Sequence, residues 1–204
     1  MVDQLTRDEI VEGVRRLGVI EGNVVLVHTA MRTLGRVEGG GDTVVDAFLE
    51  VLGKSGTLVV PTFTFVHEAS EDPVIDHASD PSEMGAITET ARRRPDARRS
   101  IAYRHSFAAI GRRAQEITEV DPTLSSFDLR SSFGVMLALG TRVVMLGMTY
   151  ASSTSHHFAE FVCEVPYRHT IDMKVKVRRE DGTIYEQAMT DYQPKPSGGS
   201  YYGS

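Results

Sequence analysis

"NVVLVHTAMRTLGRVEGGGDTVVDAFLEVLGKSGTLVVPTFTF", residues 23–65, decides the fold class. Its first part, "NVVLVH" (23–28), is a short apolar run bounded by turn residues, the pattern of a buried strand ending at His28. A polar, glycine-bearing loop follows over residues 29–41. In "DTVVDAFLEVLG" (42–53), Val44, Val45, Phe48, Leu49 and Leu52 recur at helical spacing, with Asp42 as the expected N-cap and Gly53 as the stop. "GTLVVPTFTF" (56–65) then reads as a second buried strand ending near Pro61. Strand, loop, helix and strand within about 40 residues form a βαβ unit, which predicts a parallel pair with a right-handed crossover.

The flanking sequence extends this pattern. Thr6 and Glu9 make a capping-box pair ahead of a helix that carries Ile10, Val14 and Leu17. Residues 67–81 are acidic and histidine-bearing with few apolar positions, as expected of an exposed excursion over one end of the sheet. A helix with a basic tail (Arg92, Arg93, Arg94, Arg98, Arg99) follows, then a strand "HSFAAIG" (105–111) and a short helix "RRAQEIT" (112–118). Next come a serine-capped helix "SSFGVMLALG" (131–140) and a buried strand "TRVVMLGM" (141–148). After the helix "STSHHFAEFVCE" (153–164), "MKVKVRREDGTIYEQAMT" (173–190) alternates about Asp181-Gly182, a hairpin signal. The expected fold is a three-layer α/β/α arrangement with a central mixed, largely parallel sheet and a C-terminal β-hairpin.

Composition narrows the function classes. The chain has 204 residues, 41% hydrophobic and 25% charged, which suits one globular domain over residues 1–204. A net charge of -6 gives no basic face for a nucleic acid partner. Cys163 is the only cysteine, so no internal disulfide forms, and it reads as a buried structural residue in a cytoplasmic protein. No run of about 18 apolar residues predicts a membrane span.

The chemistry concentrates in "SSTSHHFAEF" (152–161). A helix starting beyond the carboxyl end of a buried strand is where open α/β sheets bind ligands. His157 and Glu160 share a face at i, i+3, whereas His156 is rotated by about 100° around the helix. An imidazole held by a carboxylate keeps one tautomer and suits a general base; the same spacing also describes a surface ion pair. No metal is expected, because the zinc helix motif needs histidines at i, i+4. His67, Asp76, His77 and Asp80 read as a solvated acidic loop rather than a cation site. The loop "HTAMRTLGRVEGGG" (28–41) has the form of a phosphate cradle ahead of a helix N-terminus, although Gly39, Gly40 and Gly41 taken alone read as a flexible turn before a helix.

Four stretches together resemble the aminoglycoside 3-N-acetyltransferase family: residues 25–65, "DPSEMGAITETARRRPDARRS" (80–100), "HSFAAIG" (105–111), and "VVMLGMTYASSTSHHFAEFVCEVPYR" (143–168) with its H-x-A-E element. The resemblance implies an acetyl-coenzyme A-dependent enzyme in which His157 takes a proton from the acceptor amine and Glu160 supports it. It further implies that His28, Thr29, Ala30, Leu34, Gly35, Gly39 and Gly40, with Ser106 and Phe107, line the coenzyme site, and that nearby arginines meet its phosphates. The partners implied are acetyl-coenzyme A and a small-molecule amine, with a homodimer as the one oligomer entertained. Family members usually carry an aspartate at the position of Ala151. Carboxylates pair with the ammonium groups of aminoglycosides, so the missing aspartate weighs against the aminoglycoside that the resemblance implies and leaves a related amine as the other expected acceptor. Members also continue past the hairpin, which leaves open a truncated chain that binds coenzyme A without turnover. A metal-dependent hydrolase using His156, His157 and Glu160 is the remaining alternative.

Overall fold

The computed structural model describes residues 4–66, 70, 72–179 and 181–196. Strand β1 (Gln4–Leu5) leads into helix α1 (Arg7–Arg16), which starts on a complete capping box: Glu9 N donates to Thr6 Oγ1, and Thr6 N donates to Glu9 Oε2. Strand β2 (Val24–Thr29), helix α2 (Met31–Leu34), strand β3 (Arg36–Val37), helix α3 (Gly40–Leu52) and strand β4 (Thr57–Pro61) then build the expected unit, with β2 and β4 paired in parallel. Asp42 is not the N-cap of α3. Gly39 takes that position at φ 73°, where a Cβ would meet Thr43 Oγ1 at 2.4 Å, and Asp42 sits in the first turn against the positive end of the helix dipole.

The chain continues through β5 (Val74–Ile75), α4 (Ala86–Arg92), β6 (Arg98–Arg99), β7 (Phe107–Gly111), α5 (Ala114–Thr118), α6 (Ser132–Ala138) and β8 (Arg142–Leu146). Helix α7 (Ser155–Val162) and the hairpin of β9 (Arg168–Arg178) and β10 (Ile184–Pro194) complete the order. The main sheet has the order β6-β7-β4-β2-β8. Only β7 opposes its neighbours, so four of the five strands run the same way.

Strand alternation makes the layers. Val25 and Val27 of β2 point into one core with α1, α3 and α4, through Val14, Val44, Phe48 and Ile87. Val24 and Leu26 point into the other core, with Ile117 of α5, Phe133 and Met136 of α6, and Phe158 and Phe161 of α7 packed against it. Helices therefore cover both faces, as α/β/α layering requires.

Three expectations need correction. β8 is the edge of the sheet, not a buried strand, and Val143 is 37% exposed there. The acidic stretch is not wholly an excursion: Val74–Ile75 forms β5, pairs in parallel with β9, and buries Ile75 against Val175, Val177 and Met189. His67 lies outside the described residues. The basic tail is consumed internally: Arg92 and Arg93 pair with Glu89, Arg94 with Asp42 and Asp46, and Arg98 with Glu119. Arg99 donates to the Thr62, His77 and Asp80 carbonyls and to the Thr62, Thr64 and Ser106 hydroxyls. Among the described residues, no helix is long and apolar enough to cross a membrane.

Candidate active site

Parallel pairing sets the location of the site. Thr29 at the end of β2 is in register with Leu146 at the end of β8, so the segments that follow both strands leave the sheet at one edge. They are tied together there. Ala30 N donates to Leu146 O at 3.0 Å, and Thr33 Oγ1 donates to the carbonyls of Ala30 and Gly147, each at 2.7 Å. Pro61 of β4 pairs with Phe107 of β7, which brings Ser106 to the same edge.

The segment after β8 makes a 3-10 turn over Tyr150–Ser152 and enters α7. Phe158 stacks on Phe133 (centroids 5.6 Å apart) and Phe161 meets the Tyr192 ring edge-on (5.2 Å), which anchors the apolar side of the helix. That anchoring turns the neighbouring face toward a cleft of about 660 Å³, lined by Ala151, Ser152, Ser153, Thr154, His156, His157, Ala159, Glu160, Cys163 and Val165. Small-molecule sites commonly have this size.

His157 Nδ1 lies 2.7 Å from Glu160 Oε2. The carboxylate is held from two further directions: Tyr167 Oη donates to Oε1 at 3.1 Å, and Arg168 Nε approaches Oε2 at 2.8 Å. Burial pushes the Glu160 carboxyl up, but the hydrogen bonds from His157 and Tyr167 and the Arg168 charge outweigh it and hold the group below the usual carboxylate range. An ionised Glu160 accepts a hydrogen bond from Nδ1–H in the tautomer that leaves a lone pair on Nε2. The imidazole rests edge-on against Phe127 at 5.9 Å. The pair is thus held from several sides rather than standing as a free surface ion pair.

His156 borders the same cleft but stands apart, exposed and edge-on to Tyr150 at 5.3 Å. The helix therefore separates the two histidines as the spacing predicts. Among the described residues, no group of three or more His, Cys, Asp or Glu side chains is placed to hold a metal ion. Cys163 is exposed on the cleft wall, not buried: it is the C-cap of α7, past the turn that Phe158 and Phe161 pin down.

The residues expected to hold the coenzyme occupy the same sheet edge but do not line this cleft. His28 and Thr29 are buried at 4% and 6% exposure, and burial pushes the His28 imidazole down to about 4, so it is neutral at physiological pH. Among the described residues, its Nε2 is sealed from solvent without a hydrogen-bond partner, as is Ser153 Oγ in the cleft wall. Leu34 packs against the core under α3, and Gly35, Gly39 and Gly40 all take positive φ around the start of that helix. Ser106 donates to Thr62 O at 2.8 Å, and Phe107 is fully buried between Phe63 and Phe133.

Sequence reasoning missed Tyr167, Arg168 and His105. His105 sits in an aromatic box of Phe63, Phe65 and Phe127, and burial pushes its imidazole down to about 4. The only signal for Tyr167 and Arg168 was their place at the end of the stretch 143–168.

The family pattern described as aminoglycoside 3-N-acetyltransferase matches residues 26–199. The chain is 31% identical to the aminoglycoside N(3)-acetyltransferase VII of Streptomyces paromomycinus over 82% of this chain and 64% of that protein. It thus spans less than two thirds of that relative's length. The crystal structure of the aminoglycoside acetyltransferase AAC(3)-Xa superposes with a TM-score of 0.84 at 28% identity, covering 97% of this chain and 75% of that one. AAC-IIIb, solved as a binary complex with CoASH, shares the fold with a TM-score of 0.84 at 22% identity, over 99% of this chain and 80% of that one.

Proposed function

Because the chain belongs to the aminoglycoside 3-N-acetyltransferase family, we propose that it transfers an acetyl group from acetyl-coenzyme A to an amine of an aminoglycoside or a related compound. The observation that carries this reading is the His157–Glu160 contact on the cleft wall, at the carboxyl edge of the sheet, with the carboxylate fixed by Tyr167 and Arg168. Acetyl-coenzyme A would supply an acyl carbon activated toward an amine. The part of this chain is to hold that amine in the cleft and accept its proton at His157 Nε2 as the nitrogen attacks the acyl carbon, the carbon–sulfur bond breaks and coenzyme A leaves as the thiol. Glu160 holds the ring in the tautomer that exposes this lone pair and stabilises the imidazolium that forms. No acyl-enzyme is needed, so Cys163 has no role in the reaction.

The coenzyme site is assigned to the segment after β2, with Thr29, Ala30, Leu34, Gly35, Gly39 and Gly40 along it and His28, Ser106 and Phe107 behind. Two features support the fit. This segment is bonded directly to the one that carries His157, and the neutral His28 imidazole offers an uncommitted buried nitrogen there. Mass spectrometry of mixtures containing the protein, acetyl-coenzyme A and a panel of aminoglycosides and simpler amines tests the reading. A product heavier by one acetyl group is expected for at least one amine; unmodified amines throughout the panel would rule the activity out.

A further inference from the structure

We propose that Thr33 is a positioning residue that clamps the coenzyme segment to the segment carrying His157, and so sets the spacing between acyl donor and base. The two segments leave neighbouring strands, β2 and β8, and meet directly beyond them. Ala30 N donates to Leu146 O at 3.0 Å, which carries the β2–β8 ladder one residue past Thr29. Thr33 makes the next connection. Its hydroxyl lies 2.7 Å from Gly147 O and 2.7 Å from Ala30 O. A threonine hydroxyl has one proton to donate, and Ala30 O already accepts from Thr33 N at 3.0 Å, so the hydroxyl proton is free to serve Gly147 O.

Both sides of the contact are shaped for close approach. Gly147 holds φ at 72°, and a Cβ there would collide with Thr33 Oγ1 and fall 3.2 Å from Ala30 O, so a residue without a side chain lets the two backbones come this near. Thr33 lies in the single turn of α2, one residue before Leu34 and two before Gly35, within the run assigned to the coenzyme. Gly147 follows β8 directly and leads through the 3-10 turn of Tyr150–Ser152 into α7, which carries His157. Donor, amine and base react fast only when aligned closely, and a displacement of about 1 Å can cost about a hundredfold in rate. A hydroxyl that holds the two segments together therefore acts on the rate through the residues those segments carry.

The role rests on the assignments of the coenzyme segment and of His157, but the clamp itself is tested without either. Hydrogen exchange is followed by mass spectrometry in the intact protein without ligand, in peptides covering residues 29–35 and 146–154. Thr33→Val, which puts a methyl in place of the hydroxyl, should raise exchange in both peptides by about tenfold and leave α3 and the hairpin unchanged, while Thr33→Ser stays within about twofold of wild type. A rise confined to one of the two peptides, a rise throughout the chain, or no rise at all would overturn the proposal. Thr33→Ala removes the hydroxyl without crowding the carbonyls and gives the same reading should the valine variant not fold. In steady-state kinetics Thr33→Val should lose on the order of tenfold or more in kcat, with KM for each substrate within about threefold, and Thr33→Ser should restore the rate. A valine variant with the wild-type kcat, or a serine variant as slow as the valine one, would also overturn it. A wild type without acetyl transfer would sink the functional reading and leave the exchange result standing.

Discussion

His156 and His157 are adjacent in sequence and different in kind, because an α-helix turns consecutive side chains apart. Only His157 meets Glu160, whereas His156 meets Tyr150. Glu160→Gln should lower turnover by on the order of tenfold or more while preserving the fold, measured as kcat with acetyl-coenzyme A saturating. His156→Gln should change kcat by less than about threefold, since a residue outside the pair supplies no proton transfer. Two buried histidines carry a different prediction. His28 and His105 are both held near 4, below the unfolded value of about 6.5. Their contribution to stability is full above pH 6.5 and is lost as pH falls toward 4, because the unfolded chain then binds protons that the folded chain refuses. Urea denaturation should show up to about 2 kcal/mol lost per histidine between pH 6.5 and 5. Depressed carboxylates such as Glu89, held at about 2, and Glu160 lose their contributions as pH falls from about 4.5 downward, below most of this window. An unchanged midpoint across that interval would contradict both burial assignments. The His157–Glu160 pair was legible because i, i+3 spacing on a helix is a contact rule. Arg168 was not, since it reaches Glu160 only after the chain has turned out of α7 into β9, and no periodicity records that turn.

At the scale of elements, reading succeeded where an element was long enough to show its period. The stripe of α3, the capping box of α1, the serine cap of α6 and the hairpin about Asp181-Gly182 all appear where expected. The strands β1, β3, β5 and β6 have two residues each and carry no pattern of their own; they form because partners lie alongside. The edge position of β8 was likewise invisible, because a run such as "RVVML" reads the same in the middle of a sheet and at its border. Packing between elements supplies a sharp test in α6. A Cβ added to Gly134 would fall 1.8 Å from the Leu129 carbonyl oxygen, a backbone atom that cannot swing aside. Gly134→Ala should therefore cost about 2 kcal/mol or more in urea denaturation. A loss below about 0.5 kcal/mol would show that the turn into α6 is looser than its contacts imply.

For the whole molecule, the alternation of Val24 and Leu26 against Val25 and Val27 is the simplest statement of the fold, since it gives a sheet two apolar faces and helices to cover both. The second sheet of β5, β9 and β10 is what the sequence left undetermined, because its parallel β5–β9 pairing joins residues about 100 positions apart. Arg99 links the two regions: from β6 it binds carbonyls in β4's extension and in the loop after β5. Arg99→Met leaves those buried acceptors unpaired and should destabilise the protein by roughly 3 kcal/mol. Equal stability of the variant and the wild type would show that water replaces the guanidinium without loss. Thiol release from acetyl-coenzyme A in the presence of acceptor amines, with wild type and His157→Gln compared side by side, tests whether His157 is the base. Amine-dependent release by the wild type, lowered on the order of 10²- to 10⁴-fold in the variant, is the predicted result. Equal release by the two proteins would contradict the assignment of His157 as the base.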